Sequence, residues 1–533
     1  MHERPRRLAI VGEGKRSGVL RRAKCHETAE SVLLPVGKWM VRTALAAMGL
    51  SVVLMVAVGI QGPSPVVAKF PPSPPWPPWF VHTQPSRLLV IIAMWTAVLL
   101  GGGGLALALL AVRRGWRPRP RRLIAGSVVA VVALMVIPPM DSADMLIYGA
   151  YGRIAVLGHS PDAMTPGQLM SSGDPVGAEA VFPYANSPSP FGPIATVSEA
   201  AASELGGISL ARTIFWLKVW NAMAYLTLVL ALDRAVRSDA ARRLRAHLLW
   251  SVNPLMLLAL LAGGHNDVLA VAVGACALFV VPRADYVRSL LSGALVGAAV
   301  AIKAPYALFG VGLAWAARRS PRMLVALALG AAAVLVPCYL VAGRAAISAT
   351  FGQAATPPIG PTPWEILLRV SKLVHWHVPP ASINIMGLIG SAALAVVLLW
   401  RMPPGPREFP GVRVALALVL AWLFFSPQEL PWYAAMIFPL LALFPASRLD
   451  WIALAFTSAS ALGEMPVWFF TGLHPAWLSS ILRISERGAA PFSLIAVGIA
   501  LLWLCLTNSW RLARSASGFV EAIPGDPDHV TVS

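Results

Sequence analysis

Apolar residues in this chain come in long unbroken runs, without the strict alternation of a half-buried strand. The runs lie near 41–60, 88–112, 123–139, 212–232, 248–263, 267–281, 289–302, 304–317, 323–342, 383–400, 412–427, 432–446, 451–468 and 491–507. Many of them reach the roughly 17–25 residues with which a helix crosses a bilayer. Inside hydrocarbon a chain must satisfy its own backbone, and an apolar run does so as a helix. The pattern therefore predicts an all-α polytopic membrane protein with about 14 transmembrane helices. The shortest runs predict broken or tilted hairpins.

The polar segments between runs are of two kinds. Some are short and basic; the others include the long connections 61–86, 140–211, 343–382 and 469–490. None is long enough to bury a core of its own. Residues 41–508 thus read as one membrane unit, between a basic tail at 1–40 and a tail at 509–533 expected to be disordered. The first 40 residues are too polar and basic for a signal peptide, so the first apolar run reads as a retained anchor. "PPSPPWPPW" (71–79) predicts an extended polyproline-type loop with tryptophans at the interface.

Composition supports this reading. Hydrophobic residues make up 57% of the chain and charged residues 13%, which excludes a soluble protein of this length. The net charge of +19 invites a nucleic-acid partner. Placement of the loops argues against one. Most of the 43 lysines and arginines fall on the side of the N-terminus, most densely in "RRGWRPRPRR" and "DRAVRSDAARRLR". Basicity then follows the positive-inside rule, with both termini inside, aided by attraction to anionic lipid. Of the 4 cysteines, Cys25 lies in the tail and Cys276, Cys338 and Cys505 in apolar runs. Their spacing predicts neither a metal site nor a disulfide.

The unusual polar residues share the outer side. Asp141 and Asp144 open the 140–211 loop in "MDSADMLIYGAYGR", which also carries Tyr148, Tyr151 and Arg153. His265, Asn266 and Asp267 form the "GGHND" turn, and Lys303 stands alone in "GAAVAIKAPYALF". Glu429, Trp432 and Tyr433 lie in "SPQELPWY". An ionisable group costs about 2.5–3.5 kcal/mol at the bilayer centre and less near the interface. Several on one face point to a site. Plainer readings stand beside this one. Asp141 and Asp144 would serve as helix caps, and His265, Asn266 and Asp267 as turn and cap residues. Lys303 would snorkel to the headgroups, and Glu429 would be a solvated hairpin residue. Trp432 and Tyr433 would belong to an aromatic belt, and Arg153 would pair with a lipid phosphate. The sequence has no P-loop, dinucleotide fingerprint, HExxH or CxxC pair, so no cofactor or metal is expected. An outward site cannot reach cytoplasmic nucleotide sugars. A lipid-linked donor meets both constraints.

In this order the motifs resemble the polyprenol-phosphate-mannose-dependent α-1,6-mannosyltransferases of actinobacteria, of the GT-C glycosyltransferase superfamily. The resemblance runs from roughly 90 to 505 through "DSADMLIYGAYGR", "GHSPD", "SPSPFGPI", "NPLMLLALLAGGHNDVL", "IKAP" and "SPQELPWY". Phe191 stands where that family usually has tyrosine, and Ser160 and Asp162 where it has asparagine and tyrosine.

The resemblance implies a GT-C type fold whose long outer loops carry short interfacial helices. It implies a plasma-membrane enzyme of cell-envelope glycan (lipomannan) synthesis, active on the extracytoplasmic face. A polyprenyl-phosphate sugar would be the donor and a glycan or glycolipid the acceptor, with inversion. Lys303, Arg153 and His265 would hold the donor phosphate. Asp141 would be the base, with Asp144 orienting it or the acceptor. Tyr148, Tyr151, Phe191, Asn266, Asp267, Glu429, Trp432 and Tyr433 would contact substrate. Two alternatives remain open: an arabinofuranosyltransferase with a decaprenyl-phosphate donor, and a lipid-linked-sugar flippase. A transporter would place its charges near the midplane and show related halves; neither pattern is visible.

Overall fold

The computed structural model describes residues 37–68, 76–179, 185–280, 285–352, 358–465 and 476–510. Most of both tails, Cys25, the prolines of 71–75 and the start of the 469–490 connection lie outside the described residues. The described chain is helical throughout, with a few isolated β-bridges in the connections.

Helix α1 (Lys38–Gly59) packs along α2 (Arg87–Arg113), and α3 is Pro120–Met135. The 140–211 connection carries α4 (Asp144–Val156), two short helices at Pro166–Ser171 and Pro175–Glu179, and α5 (Pro193–Gly206). Next come α6 (Leu210–Ala235), α7 (Ala240–Ala262), α8 (Asp267–Val280), α9 (Tyr286–Ile302), α10 (Ala304–Ala317) and α11 (Pro321–Phe351). An amphipathic α12 (Trp364–Leu373) precedes α13 (Pro380–Arg401), α14 (Val412–Phe425), α15 (Pro431–Leu443), α16 (Leu449–Glu464) and α17 (Ala476–Thr507).

Each of the fourteen apolar runs is therefore a helix. Seven of them, α1, α2, α6, α7, α11, α13 and α17, are long and apolar enough to cross a membrane. At 1.5 Å per residue the other seven reach about 20–26 Å, short of the roughly 30 Å hydrocarbon layer. Exposed Leu340, Val341, Leu388 and Trp400 cover the outer faces of α11 and α13, as lipid-facing helices require. Two connections are shorter than the runs suggest. α17 continues back to Ala476 through a π-helical turn at Ser485–Ala489, because Leu478 and Leu482 keep an apolar stripe buried. α11 continues to Phe351 across a break at Gly343, where φ is 84°.

The buried α7 forms the axis of the bundle. It is interrupted at Asn253–Pro254, where proline lacks an N–H and the Asn253 side chain accepts from the Leu255 N–H at 3.0 Å. Charged groups gather at its two ends. At its start, Asp450 accepts from Arg245 and from Arg113 (3.3 Å), and Asp233 accepts from Arg243 (2.6 and 2.8 Å) and bonds His247 (2.8 Å). At its far end, about 30 Å away along the helix, lie the polar residues singled out from the sequence. Buried residues from Ala44 to Trp510 join one continuous core between them.

Candidate active site at one end of the bundle

The loop from α3 to α4 is held from below. Lys218 on α6 donates to the Ile137 carbonyl at 2.7 Å, and the Met140 N–H donates to the Ala262 carbonyl at 2.9 Å. The Asp141 N–H donates to the Val66 carbonyl at 2.9 Å. These bonds keep Asp141 in the left-handed region, with φ 73°. Aspartate tolerates that region better than most residues, yet a strained backbone over-determined by its surroundings is characteristic of functional sites. No Asp side chain caps α4; the bond to the Asp144 N–H comes from the Ser142 hydroxyl, at 3.0 Å.

The two carboxylates have opposite surroundings. Asp141 is buried, with Oδ1 lacking any hydrogen-bond partner among the described residues, and burial pushes it well above the usual carboxylate range. Burial also acts to raise Asp144. His265, Ser142 and the charge of Lys303 outweigh it and hold Asp144 below the ordinary value. Asp144 Oδ2 lies 3.2 Å from His265 Nδ1 and accepts from the Tyr148 hydroxyl at 3.2 Å.

The α7–α8 turn brings in the next group. The His265 ring stacks on Trp432, with centroids 3.4 Å apart and planes 15° apart. Its backbone carbonyl is fixed by Asn221 on α6 at 3.2 Å. His265 Nε2 and both polar side-chain atoms of Asn266 are buried without a partner among the described residues. Asp267 begins α8 and accepts from Lys303 Nζ at 2.6 Å and from the Tyr306 hydroxyl at 3.2 Å. Lys303 joins α9 to α10, 8% exposed, with Nζ over the rings of Tyr433 (4.6 Å) and Phe191 (5.4 Å). It is an enclosed, paired cation rather than a snorkelling one. Phe191 meets Tyr148 edge to face at 5.1 Å.

Glu429 is 1% exposed, so it is no solvated hairpin residue. The Ser460 hydroxyl reaches both its oxygens, at 2.9 and 2.8 Å, and burial pushes the carboxyl up to about 8 against that bond. Trp432 is equally enclosed at 4%.

Two expected residues sit elsewhere. Arg153 lies nine positions along α4 from Asp144, about 13 Å by helical rise, and bonds Asp174 at 2.8 Å. The Tyr151 hydroxyl donates to the Ser187 carbonyl at 3.0 Å. The structure also adds residues. Glu464, at the end of α16, is within electrostatic reach of Asp141, Glu429 and Asp144. Glu199 on α5 is within reach of Tyr148. Ser460, Tyr306, Ser142 and Asn221 act as partners. A lone acid closing an apolar run, "SASALGE", was the available signal for Glu464. Among the described residues no group of three or more His, Cys, Asp or Glu is placed to hold a metal ion.

Residues 46–319, just over half the chain, match the family model described as "Alpha-(1->6)-mannopyranosyltransferase, N-terminal domain". The chain belongs to this family. The matched part of the alpha-(1->6)-mannopyranosyltransferase family holds the acid pair, the "GGHND" turn and Lys303; Glu429, Trp432 and Tyr433 lie beyond it. Alpha-(1->6)-mannopyranosyltransferase A of Mycobacterium tuberculosis is 24% identical over 391 residues, 65% of this chain and 69% of that protein. Alpha-(1->6)-mannopyranosyltransferase B of Corynebacterium glutamicum is 25% identical over 137 residues, 26% of this chain and 23% of that protein. The chain thus spans about a quarter of the length of the latter. No solved structure matches.

Proposed function

We propose that this protein is a membrane mannosyltransferase that moves a mannosyl residue from a polyprenyl-phosphate carrier to a hydroxyl of a glycan or glycolipid. One observation carries the reading. At a single end of the bundle, Asp141 Oδ1, His265 Nε2 and both side-chain polar atoms of Asn266 are buried and unpartnered among the described residues. Buried polar groups ordinarily have partners, so four such atoms together ask for a polar substrate. Family membership says which kind.

The chemistry divides among the residues as follows. Asp141, with its raised proton affinity, takes the proton of the acceptor hydroxyl as that oxygen attacks the anomeric carbon. Asp144 stays ionised and fixes His265 and Tyr148. The bond from the anomeric carbon to the carrier phosphate breaks with its electron pair passing to the phosphate, and attack from the opposite face inverts the centre. Lys303, and His265 when both its ring nitrogens carry protons, stabilise that developing charge in a water-poor pocket. Asn266 and Glu429 are suited to sugar hydroxyls. The site faces the extracytoplasmic side, by the charge asymmetry of the connections.

The test is transfer of radiolabel from polyprenyl-phosphate mannose to a short mannoside in membranes containing the protein, with linkage analysis of the product. A labelled α-1,6 product is expected. Transfer from decaprenyl-phosphate arabinose instead would change the sugar. Movement of intact carrier across vesicles without transfer would replace the enzyme by a transporter.

A further inference from the structure

A groove of about 620 Å³ opens beside α4, between residues 155–162, the start of α5 and the part of α11 around Pro337–Ala342. Its walls are largely apolar, with Pro161, Ile194, Val197, Pro337 and Val341 among the lining residues. Val341 is 90% exposed and Val197 67%. α11 is one of the long apolar helices, so the mouth opens toward lipid, just before the break at Gly343.

The inner side is polar. Asp162 Oδ1 and Thr196 Oγ1 are buried without partners among the described residues. Glu199, three positions beyond Thr196 on the same helix, is 1% exposed, and both its oxygens also lack partners among the described residues. Gly152 allows this close approach: a Cβ there would collide with the Glu199 carbonyl where α4 crosses α5. Tyr148 donates to Asp144. Glu199 therefore stands between the groove and the acid pair, within electrostatic reach of Asp162 and of Tyr148.

Charge selects the ligand. No lysine or arginine lines the groove; its titratable lining side chains besides Cys338 are His159 and Asp162, and Glu199 lies behind, within electrostatic reach of Asp162. A phosphate would meet no lysine or arginine there and would be repelled by Asp162. Sugar hydroxyls would be accepted. Burial, then Asp162, pushes Glu199 up to about 8, so near neutral pH it donates as well as accepts.

We propose that this groove takes the acceptor, a lipid-anchored glycan with an uncharged head: its chain lies along α11 and α5, and its hydroxyls engage Asp162, Thr196 and Glu199. The assignment rests on the transferase reading. It gives the acceptor a route separate from the donor phosphate at Lys303.

Cys338 lines the groove and is a free thiol, so the native chain supplies its own reporter. The protein would be placed in nanodiscs with Cys25, Cys276 and Cys505 replaced by alanine. The rate of Cys338 alkylation by a maleimide is then read with octyl α-mannoside, octanol, polyprenyl phosphate or no addition. Octyl α-mannoside is expected to slow alkylation several-fold while octanol and polyprenyl phosphate leave it unchanged. Protection by polyprenyl phosphate equal to that by the mannoside, or by neither, overturns the assignment. Equal protection by octanol removes the sugar from it. This readout needs no turnover, so protection in a protein that transfers nothing would sink the transferase reading and leave the groove's ligand standing. In transfer assays, Val197→Trp should raise KM for octyl α-mannoside about tenfold, equal to about 1.4 kcal/mol. KM for methyl α-mannoside and for the donor should not change. An unchanged octyl mannoside KM counts against the groove.

Discussion

Lys303 and Asp267 form a buried ion pair, Nζ to Oδ2 2.6 Å, that ties the α9–α10 turn to the start of α8. The lysine therefore has two roles to separate: balancing Asp267 and holding a donor phosphate. Lys303→Met leaves Asp267 uncompensated, which typically costs about 3–5 kcal/mol for a buried pair. Adding Asp267→Asn removes the stranded charge and should restore most of the melting temperature. Donor affinity should stay low in the double variant. The check is thermal stability beside equilibrium binding of polyprenyl-phosphate mannose. Parent-like donor binding by the double variant would leave Lys303 a structural role only.

The acid pair is separable by rate. Loss of a general base typically costs about 10²–10⁴ in turnover. Asp141→Asn should show such a loss with donor binding retained, because a base acts in the transition state. Asp144→Asn weakens the anchor of His265 and Tyr148 and should lose less. Since burial raises Asp141 well above the usual range, kcat of the parent should still be climbing with pH where an ordinary aspartate is already ionised. A flat profile there, or a dead Asp144→Asn beside an active Asp141→Asn, reverses the roles.

Those roles show what the sequence could and could not disclose. Periodicity located the fourteen apolar helices, since an apolar run has few other solutions in lipid. It also put Asp141, His265, Lys303 and Glu429 at helix ends on one side, and they do converge. It could not separate helices that cross from those too short to do so, because α8 and α15 are as apolar as α1. Side-chain direction was the second blind spot. Arg153 shares α4 with Asp144 but meets Asp174. Glu464 and Glu199 resembled ordinary helix residues until packing turned them inward, a tertiary effect no local window contains.

Glu429 offers a test through pH and stability. Burial pushes its carboxyl up to about 8 in the folded protein, well above the ordinary 4.5. Between those values the folded state holds a proton that the unfolded chain has released, so stability falls as pH rises through that window. Glu429→Gln keeps an acceptor for Ser460 and has no such proton to lose. The two proteins should melt at similar temperatures near pH 5, with the variant gaining steadily toward pH 8. A gap independent of pH would mean that Glu429 is ionised in the fold.

Orientation in the membrane is the last test. Ser171 ends the short helix Pro166–Ser171 in the 140–211 connection and is exposed. Ser238 is exposed between α6 and α7, at the opposite end of the bundle beside the Arg243–Asp233 pair. The two positions lie at opposite ends of the bundle, with α7, about 33 Å long, between them, and are expected on opposite sides of a bilayer. By the positive-inside rule, the crowding of arginines around Ser238 predicts a cytoplasmic position for that end. In a chain with all four native cysteines replaced, Ser171→Cys should react with an impermeant maleimide in intact cells. Ser238→Cys should react only after permeabilisation. The reverse pattern would turn the whole bundle over and put the acid pair within reach of nucleotide sugars, and the case for a lipid-linked donor would lose its main physical support.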